Sequence, residues 1–202
     1  TIALQSSQSG YASTRGEPIA DSCEPNYGKK MLSPVVDGNV VPKLVHVRHR
    51  FPMRVTILDD PRYQDPAFDE VVHTACERWA DATKDAREQR FTFVIDRRAD
   101  PTGADVIVQF GTAEEFEGFD GHTAEHTGWA EVRLATVDVN GKRTTRGRLS
   151  RVATHELGHA LGIWGHSPDA TDVMSENPRA GSVTTADVNT LRLAYHPSNP
   201  NR

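Results

Sequence analysis

One segment of the chain, HELGHALGIWGHS at residues 155–167, constrains the fold more than any other. Its first two histidines, His155 and His159, are four residues apart, so an α-helix would place both side chains on one face, one turn apart. Leu157 and Leu161 are apolar and would anchor the opposite face of that helix in a core. A helix that combines buried aliphatic residues with a polar line of His-Glu-His is difficult to explain without a bound metal ion.

Two imidazoles placed in this way can hold one Zn²⁺, each at about 2.0–2.1 Å. Glu156 follows the first histidine and would project to the side, near the metal but not onto it. A carboxylate there can take a proton from a zinc-activated water and later pass it to the departing amine, as general base and then acid. A bare His-Glu-x-x-His also arises by chance, but here it lies on a predicted amphipathic helix. We therefore predict a metal site with Glu156 as the catalytic residue.

The third ligand is less regular. In the pattern H-E-x-x-H-x-x-G-x-x-H a histidine follows the glycine by three residues, whereas here His166 follows Gly162 by four. The extra residue lies within residues 163–165, after the predicted end of the helix, where a loop can absorb it as a bulge. The glycine just before His166 would adopt a positive φ and let the imidazole swing back to the metal. We predict His155, His159 and His166 as the ligands, with a fourth position left for water.

HELGHALGIWGHS followed by PDATDVM resembles the metzincin clan of zinc peptidases, and within it the matrixins and their bacterial relatives. The resemblance covers roughly residues 51–196 and is most specific over 155–174. In that family a methionine in a tight turn lies beneath the three imidazoles, and Met174 matches it. The resemblance implies a Zn²⁺ cofactor, a protein or peptide substrate, and a zinc-dependent endopeptidase that hydrolyses internal peptide bonds. It also implies a preference for an apolar side chain just after the cleaved bond.

Alternatives stay open for the third ligand and for the function. Asp169 or Asp172 could take the third place, as an aspartate does in some small bacterial metzincins, and Glu176 could serve as the distant glutamate of a thermolysin-like site. A zinc-stabilised non-catalytic binding module, or a zinc hydrolase of non-peptide amides, would also need the histidines. The presence of Glu156 favours the enzyme, because a non-catalytic site needs no base beside the metal.

The rest of the sequence predicts the fold class. The order of its elements predicts a small α+β domain in which a mostly parallel sheet is backed by helices. The resemblance implies that this domain is of metzincin type, with a twisted sheet, two long helices, a Met-turn and a C-terminal helix. Alternating apolar residues predict strands over 51–58, 91–96, 104–111 and 129–139. The strand that begins at Trp129 is the predicted sheet edge beside the cleft, where an extended peptide could add as a further strand.

Local signals also place the helices. Apolar residues at three- and four-residue steps predict a helix over 66–83. Ser150 is the predicted N-cap of the helix that carries the histidines, which would end at Gly162. A variant of the capping box at 184–187 opens the last helix. The segment 114–128, which contains His122 and His126, is interpreted as a solvated polar loop rather than a second metal site.

Composition and patterning suggest two regions. Residues 1–45 are irregular and form an N-terminal extension that either drapes over the domain or is the remnant of a propeptide, and residues 46–202 form the zinc metallopeptidase domain. Cys23 and Cys76 leave one disulfide and two unrelated thiols equally open.

The bulk properties of the 202-residue chain exclude two classes of partner. The net charge of −5 argues against nucleic acid as the main partner, because phosphate contact needs a basic surface. No apolar run approaches the roughly 20 residues that a membrane span requires. We expect a secreted, extracellular monomer whose signal peptide is not visible in this sequence.

Overall fold

A computed structural model describes residues 24–31, 35–36, 39–40, 44, 51–84 and 91–195 of the chain. The elements in chain order are β1 (Val35–Val36), β2 (Asn39–Val40), β3 (Met53–Leu58), α1 (Pro66–Ala82), β4 (Phe93–Arg98), β5 (Val106–Thr112), β6 (Gly121–His126), β7 (Trp129–Val137), α2 (Arg146–Leu161) and α3 (Thr185–Ala194). The predicted α+β class is confirmed. None of the helices described is long and apolar enough to cross a membrane.

Five strands form the main sheet, in the order β4-β3-β5-β7-β6. All neighbours pair in parallel except β6 and β7, which are antiparallel. The strands predicted at 51–58, 91–96, 104–111 and 129–139 are confirmed as β3, β4, β5 and β7, and the first three of them begin two residues later than predicted. Helices α1 and α2 pack against each other, and α2 lies on β6 and β7.

The prediction of a polar loop at 114–128 is wrong for its second half, which forms β6. Six residues of this strand pair with β7, from His126 opposite Trp129 to Gly121 opposite Leu134. The strand beginning at Trp129 is therefore internal, and the predicted sheet edge is moved outward to β6. A polar edge strand carries little apolar alternation, because one of its faces and its free backbone edge meet water.

Helix α2 begins earlier than predicted. Its N-cap is Thr145, whose side chain accepts a hydrogen bond from the backbone N–H of Arg148. The prediction of Ser150 as N-cap is wrong, since Ser150 lies buried within the helix. The first turn, Arg-Gly-Arg-Leu, hides this start because it contains a glycine and a single apolar residue. The helix ends at Gly162 as predicted, where φ is +124°.

Part of the N-terminal extension belongs to the core. Tyr27 and Met31 are buried within the main hydrophobic cluster, and the Tyr27 hydroxyl donates to Asp187 Oδ1 over 2.8 Å. Leu44 forms an isolated antiparallel bridge with Ile163, just beyond the end of α2. Most of residues 1–45, including Cys23, lie outside the described residues, whereas Cys76 is a free, buried thiol on α1.

Candidate active site

The buried face of α2 presents two of the predicted ligands. His155 and His159 are each 8% exposed, and their Nε2 atoms are 3.0 Å apart. His166 approaches from the loop after α2, so that one nitrogen from each of the three imidazoles lies within 4.8 Å of the others. This is the only group of at least three His, Cys, Asp or Glu side chains within the described residues that is placed to hold a metal ion.

The hydrogen bonds of the ring nitrogens define the tautomers. His155 Nδ1 lies 2.7 Å from the carbonyl oxygen of Val173, and His159 Nδ1 lies 2.5 Å from that of Ile163. A carbonyl oxygen can only accept, so each Nδ1 carries the proton and each Nε2 presents a lone pair. Burial lowers the pKa of His155 to about 4 and that of His159 well below its usual range, which keeps both rings neutral.

Two lone pairs that face each other at 3.0 Å repel unless a cation lies near both. The donor set fits Zn²⁺, because nitrogens at about 2.05 Å from a tetrahedral ion are separated by about 3.3 Å. The bonds from Nδ1 to Val173 and Ile163 are the kind of support that orients metal-binding histidines. The three histidines are thus arranged as a metal site.

The loop that contains the extra residue is anchored at both ends. The N–H of Ile163 donates to the Gly158 carbonyl over 3.1 Å, and the N–H of Ser167 donates to the Met174 carbonyl over 2.8 Å. The positive φ occurs at Gly162 and not at Gly165, so the prediction of a left-handed Gly165 is wrong. The chain reverses three residues earlier, at the end of the helix, so the residue before His166 needs no positive φ.

Met174 forms the floor beneath α2, as the resemblance implied. It is fully buried, and a methyl group built on Gly158 would collide with its sulfur, so the turn lies directly against the helix backbone. The turn is held by Asp187, whose carboxylate accepts from the N–H of Val173 at 3.0 Å and of Met174 at 3.3 Å. Asp187 therefore supports the same Val173 peptide unit whose carbonyl orients His155.

The alternative ligands occupy other positions. Asp172 is buried and accepts hydrogen bonds from Ser167 and Thr184. Asp169 accepts from Thr171 within its own turn. Neither these two nor Glu176 belongs to the ligand cluster. Asp169 and Asp172 therefore act in the structure of the loop.

Glu156 lies on α2 between the two buried histidines and is itself 6% exposed. Its Oε2 accepts a hydrogen bond of 2.7 Å from the hydroxyl of Thr123 on β6. Burial raises the pKa of Glu156 to about 7, and the Thr123 hydrogen bond opposes that shift. Sequence reasoning missed Thr123 because β6 was interpreted as loop. The segment 121–126 shows no apolar alternation, so no local signal in the sequence marks Thr123 as buried.

A cavity of about 330 Å³ opens beside His155 and Glu156. Arg148 and Arg151 of α2 line one side of it, and residues 176–178 line another. Arg148 is paired with Asp120, which also lines the cavity. Its charged groups suit a polar substrate side chain better than an aliphatic one.

His122 and His126 lie on the exposed face of β6, opposite the face that carries Thr123. The His126 ring stacks on Trp129 with centroids 3.9 Å apart, and the His122 ring lies 5.6 Å from that of Phe119. Neither belongs to the ligand cluster. They are solvated surface residues as predicted, although on a strand.

The chain is similar in sequence to one family of peptidases. Among solved structures, the structure of myroilysin aligns with 73% of this chain and 93% of its own, at 13% sequence identity and a TM-score of 0.44. No curated protein matches the sequence. The family match is to the matrixin peptidases and extends over residues 53–195, which include β3 through α3 and all three histidines. The chain therefore belongs to the matrixin family of metallopeptidases.

Proposed function

We propose that the protein is a zinc-dependent endopeptidase that hydrolyses internal peptide bonds of proteins. His155, His159 and His166 would hold one Zn²⁺, and Glu156 would act as general base and then general acid. The observation that carries the proposal is the pair of facing Nε2 lone pairs, 3.0 Å apart, with a buried carboxyl group on the residue between them.

Bound zinc would polarise the scissile carbonyl and lower the pKa of water at the site. The chain itself has to move the protons. A carboxyl group whose pKa is about 7 is well suited to accept a proton and then donate it at neutral pH. Glu156 adjoins the cavity that would receive the substrate, so the departing amine would be within its reach.

The non-catalytic alternative explains Glu156 poorly. Burying a carboxyl group beside a metal site costs free energy, because burial disfavours its charged form. A site that served only for stability would gain from an apolar residue at 156. A zinc hydrolase of non-peptide amides would use the same groups, and the range of substrates cleaved separates the two enzymes.

The test compares the zinc-loaded protein with its Glu156→Gln variant. We expect wild type to cleave casein and a peptide library, and a chelator to abolish that cleavage. Glu156→Gln should retain one zinc per chain and lose about 10²–10⁴-fold in hydrolysis, because general base catalysis is removed. Glu77→Gln, an exposed change of the same kind on α1, is the control. Wild type that binds zinc but cleaves nothing, or Glu156→Gln with normal turnover, would refute the proposal.

The cavity gives a prediction about substrate choice. Arg151 lines it, and within the described residues the Arg151 guanidinium forms no hydrogen bond or ion pair. A substrate side chain with an acceptor group could pair with this guanidinium. Family resemblance instead implies an apolar side chain after the cleaved bond. Sequencing of the cleavage sites of wild type and Arg151→Ala decides between these two preferences. Only recognition by Arg151 predicts that the substitution changes which side chains are accepted.

A further inference from the structure

The face of β6 that lies on α2 carries the hydroxyl group nearest to Glu156. Thr123 is 7% exposed, and its Oγ1 lies 2.7 Å from Glu156 Oε2 and 3.0 Å from the Glu156 carbonyl oxygen. The hydroxyl has one proton to donate. The carboxylate oxygen is the nearer and the more basic acceptor, and hydrogen bonds to charged groups are the stronger kind. The proton therefore goes to Oε2 when Glu156 is ionised.

Gly121 lies two residues before Thr123 on the same face of β6, and its backbone packs beside the other carboxyl oxygen of Glu156, Oε1. A Cβ atom at this position would lie 2.8 Å from Glu156 Oε1 and 2.9 Å from Glu156 Cγ, and would also collide with Val152. The backbone of β6 thus approaches Glu156 as closely as a residue without a side chain permits. One strand supplies a hydrogen bond at one carboxyl oxygen and a steric wall beside the other.

We propose that Thr123 is a positioning residue that holds the Glu156 carboxyl group in the orientation required for proton transfer. This inference rests on the proposed function. A carboxyl group that is held at Oε2 does not rotate freely about its terminal bond, so Oε1 keeps one direction. No other side chain within the described residues forms a hydrogen bond with Glu156. Without the Thr123 hydroxyl, only the Gly121 backbone and neighbouring side chains would restrict its rotation.

The first test is the isosteric change Thr123→Val, which removes the hydroxyl and keeps the shape. We expect kcat to fall about 10- to 100-fold, since misplacement of a catalytic group by about 1 Å costs rates of this order. KM and zinc content should stay as in wild type, because Thr123 lies against Glu156 and not against a histidine. Thr123→Ser restores the donor and should recover most of kcat.

A matched control is available on the neighbouring strand. Thr136 is also buried, and its hydroxyl donates to the Gly111 carbonyl over 2.9 Å, away from Glu156. Thr136→Val removes a buried hydroxyl of the same type and should leave kcat unchanged even where it lowers stability. Equal losses of kcat in Thr123→Val and Thr136→Val would overturn the proposal, as would failure of Thr123→Ser to recover activity.

A measurement on the metal-free protein separates this inference from the proposed function. The ¹³C resonance of the Glu156 carboxyl group, assigned by its absence in Glu156→Gln, reports the hydrogen bond directly. We expect it to shift in Thr123→Val and to return in Thr123→Ser. An unchanged resonance in Thr123→Val overturns the positioning role. If wild type cleaves no peptide while the resonance shifts as expected, the peptidase proposal fails and the contact between Thr123 and Glu156 stands.

Discussion

The contact between α2 and the Met-turn can be tested with a single methyl group. Gly158 lies between His155 and His159, and a Cβ atom there would be 2.8 Å from Trp79 Cζ2 and closer still to Met174 Sδ. Trp79 and Met174 are both fully buried. Trp79 is also held by its indole N–H, which donates to the Thr154 carbonyl over 2.8 Å. We therefore expect Gly158→Ala to displace the Met-turn.

Two opposing effects set the size of the change. Alanine in place of glycine within a helix stabilises by about 1 kcal/mol, whereas overpacking of a core costs about 1–3 kcal/mol and sometimes more. Because both close contacts are with fully buried side chains, we expect the overpacking cost to reach or exceed the upper end of that range. A net loss of about 2 kcal/mol in the free energy of unfolding should lower the Tm by about 4–8 °C for a chain of this size. Displacement of the Val173 carbonyl from His155 should weaken zinc binding about tenfold.

The assay is thermal unfolding of the metal-free protein together with zinc titration. Gly147→Ala in the same helix is the control, because no atom lies within 4 Å of its added methyl group. This variant should be as stable as wild type or more so. Met174→Ala combined with Gly158→Ala should cost less than the sum of the two single changes, because the smaller side chain makes room. A Gly158→Ala protein as stable as Gly147→Ala would refute the packing argument.

Three further predictions follow from other contacts. Tyr27→Phe removes the hydroxyl that donates to Asp187 and should cost about 1–3 kcal/mol in urea unfolding, because a buried carboxylate loses a partner; an unchanged midpoint and slope would show that this hydrogen bond does not stabilise the fold. Because burial raises the Glu156 pKa from 4.5 to about 7, the native state holds more protons than the unfolded state between these values, and its stability falls as pH rises through this window. Between pH 4.5 and 7, the free energy of unfolding of metal-free Glu156→Gln should therefore rise relative to that of wild type by on the order of 3 kcal/mol. A difference in unfolding free energy that stays constant over this range would contradict the raised pKa of Glu156. Deletion of Gly165 shortens a loop that is anchored at both ends and should weaken zinc binding at least about tenfold, and full zinc affinity would show that the extra residue is unconstrained.

The features that were predicted correctly depend on local geometry. The pitch of an α-helix alone brings residues four apart onto one face, so the placement of His155 beside His159 could be predicted before any fold was known. The end of α2 at Gly162 and the capping box of α3 are likewise properties of a few consecutive residues. Apolar alternation similarly placed β3, β5 and β7.

The features that were missed depend on partners far away in the sequence. β6 is a strand because β7 pairs with it, and nothing in its polar composition requires an extended backbone. The start of α2 at Thr145 was obscured by a first turn with a single apolar residue. Ile163 supports His159 from within the histidine motif, but the rest of the support comes from Val173, Asp187 and Thr123, which lie outside it.

The types of the side chains and the turn of one helix are sufficient to predict two ligands and the carboxyl group between them, so the chemistry of the site can be predicted from the sequence alone. How these groups are held depends on the tertiary structure. It brings His166 back to the other two after a loop one residue longer than the usual pattern, and it places a backbone carbonyl at Nδ1 of His155 and of His159. It also places the Thr123 hydroxyl on Glu156. Apart from the local bond between His159 and Ile163, these contacts join separate segments of the chain, and packing of the strands and the Met-turn against α2 creates them.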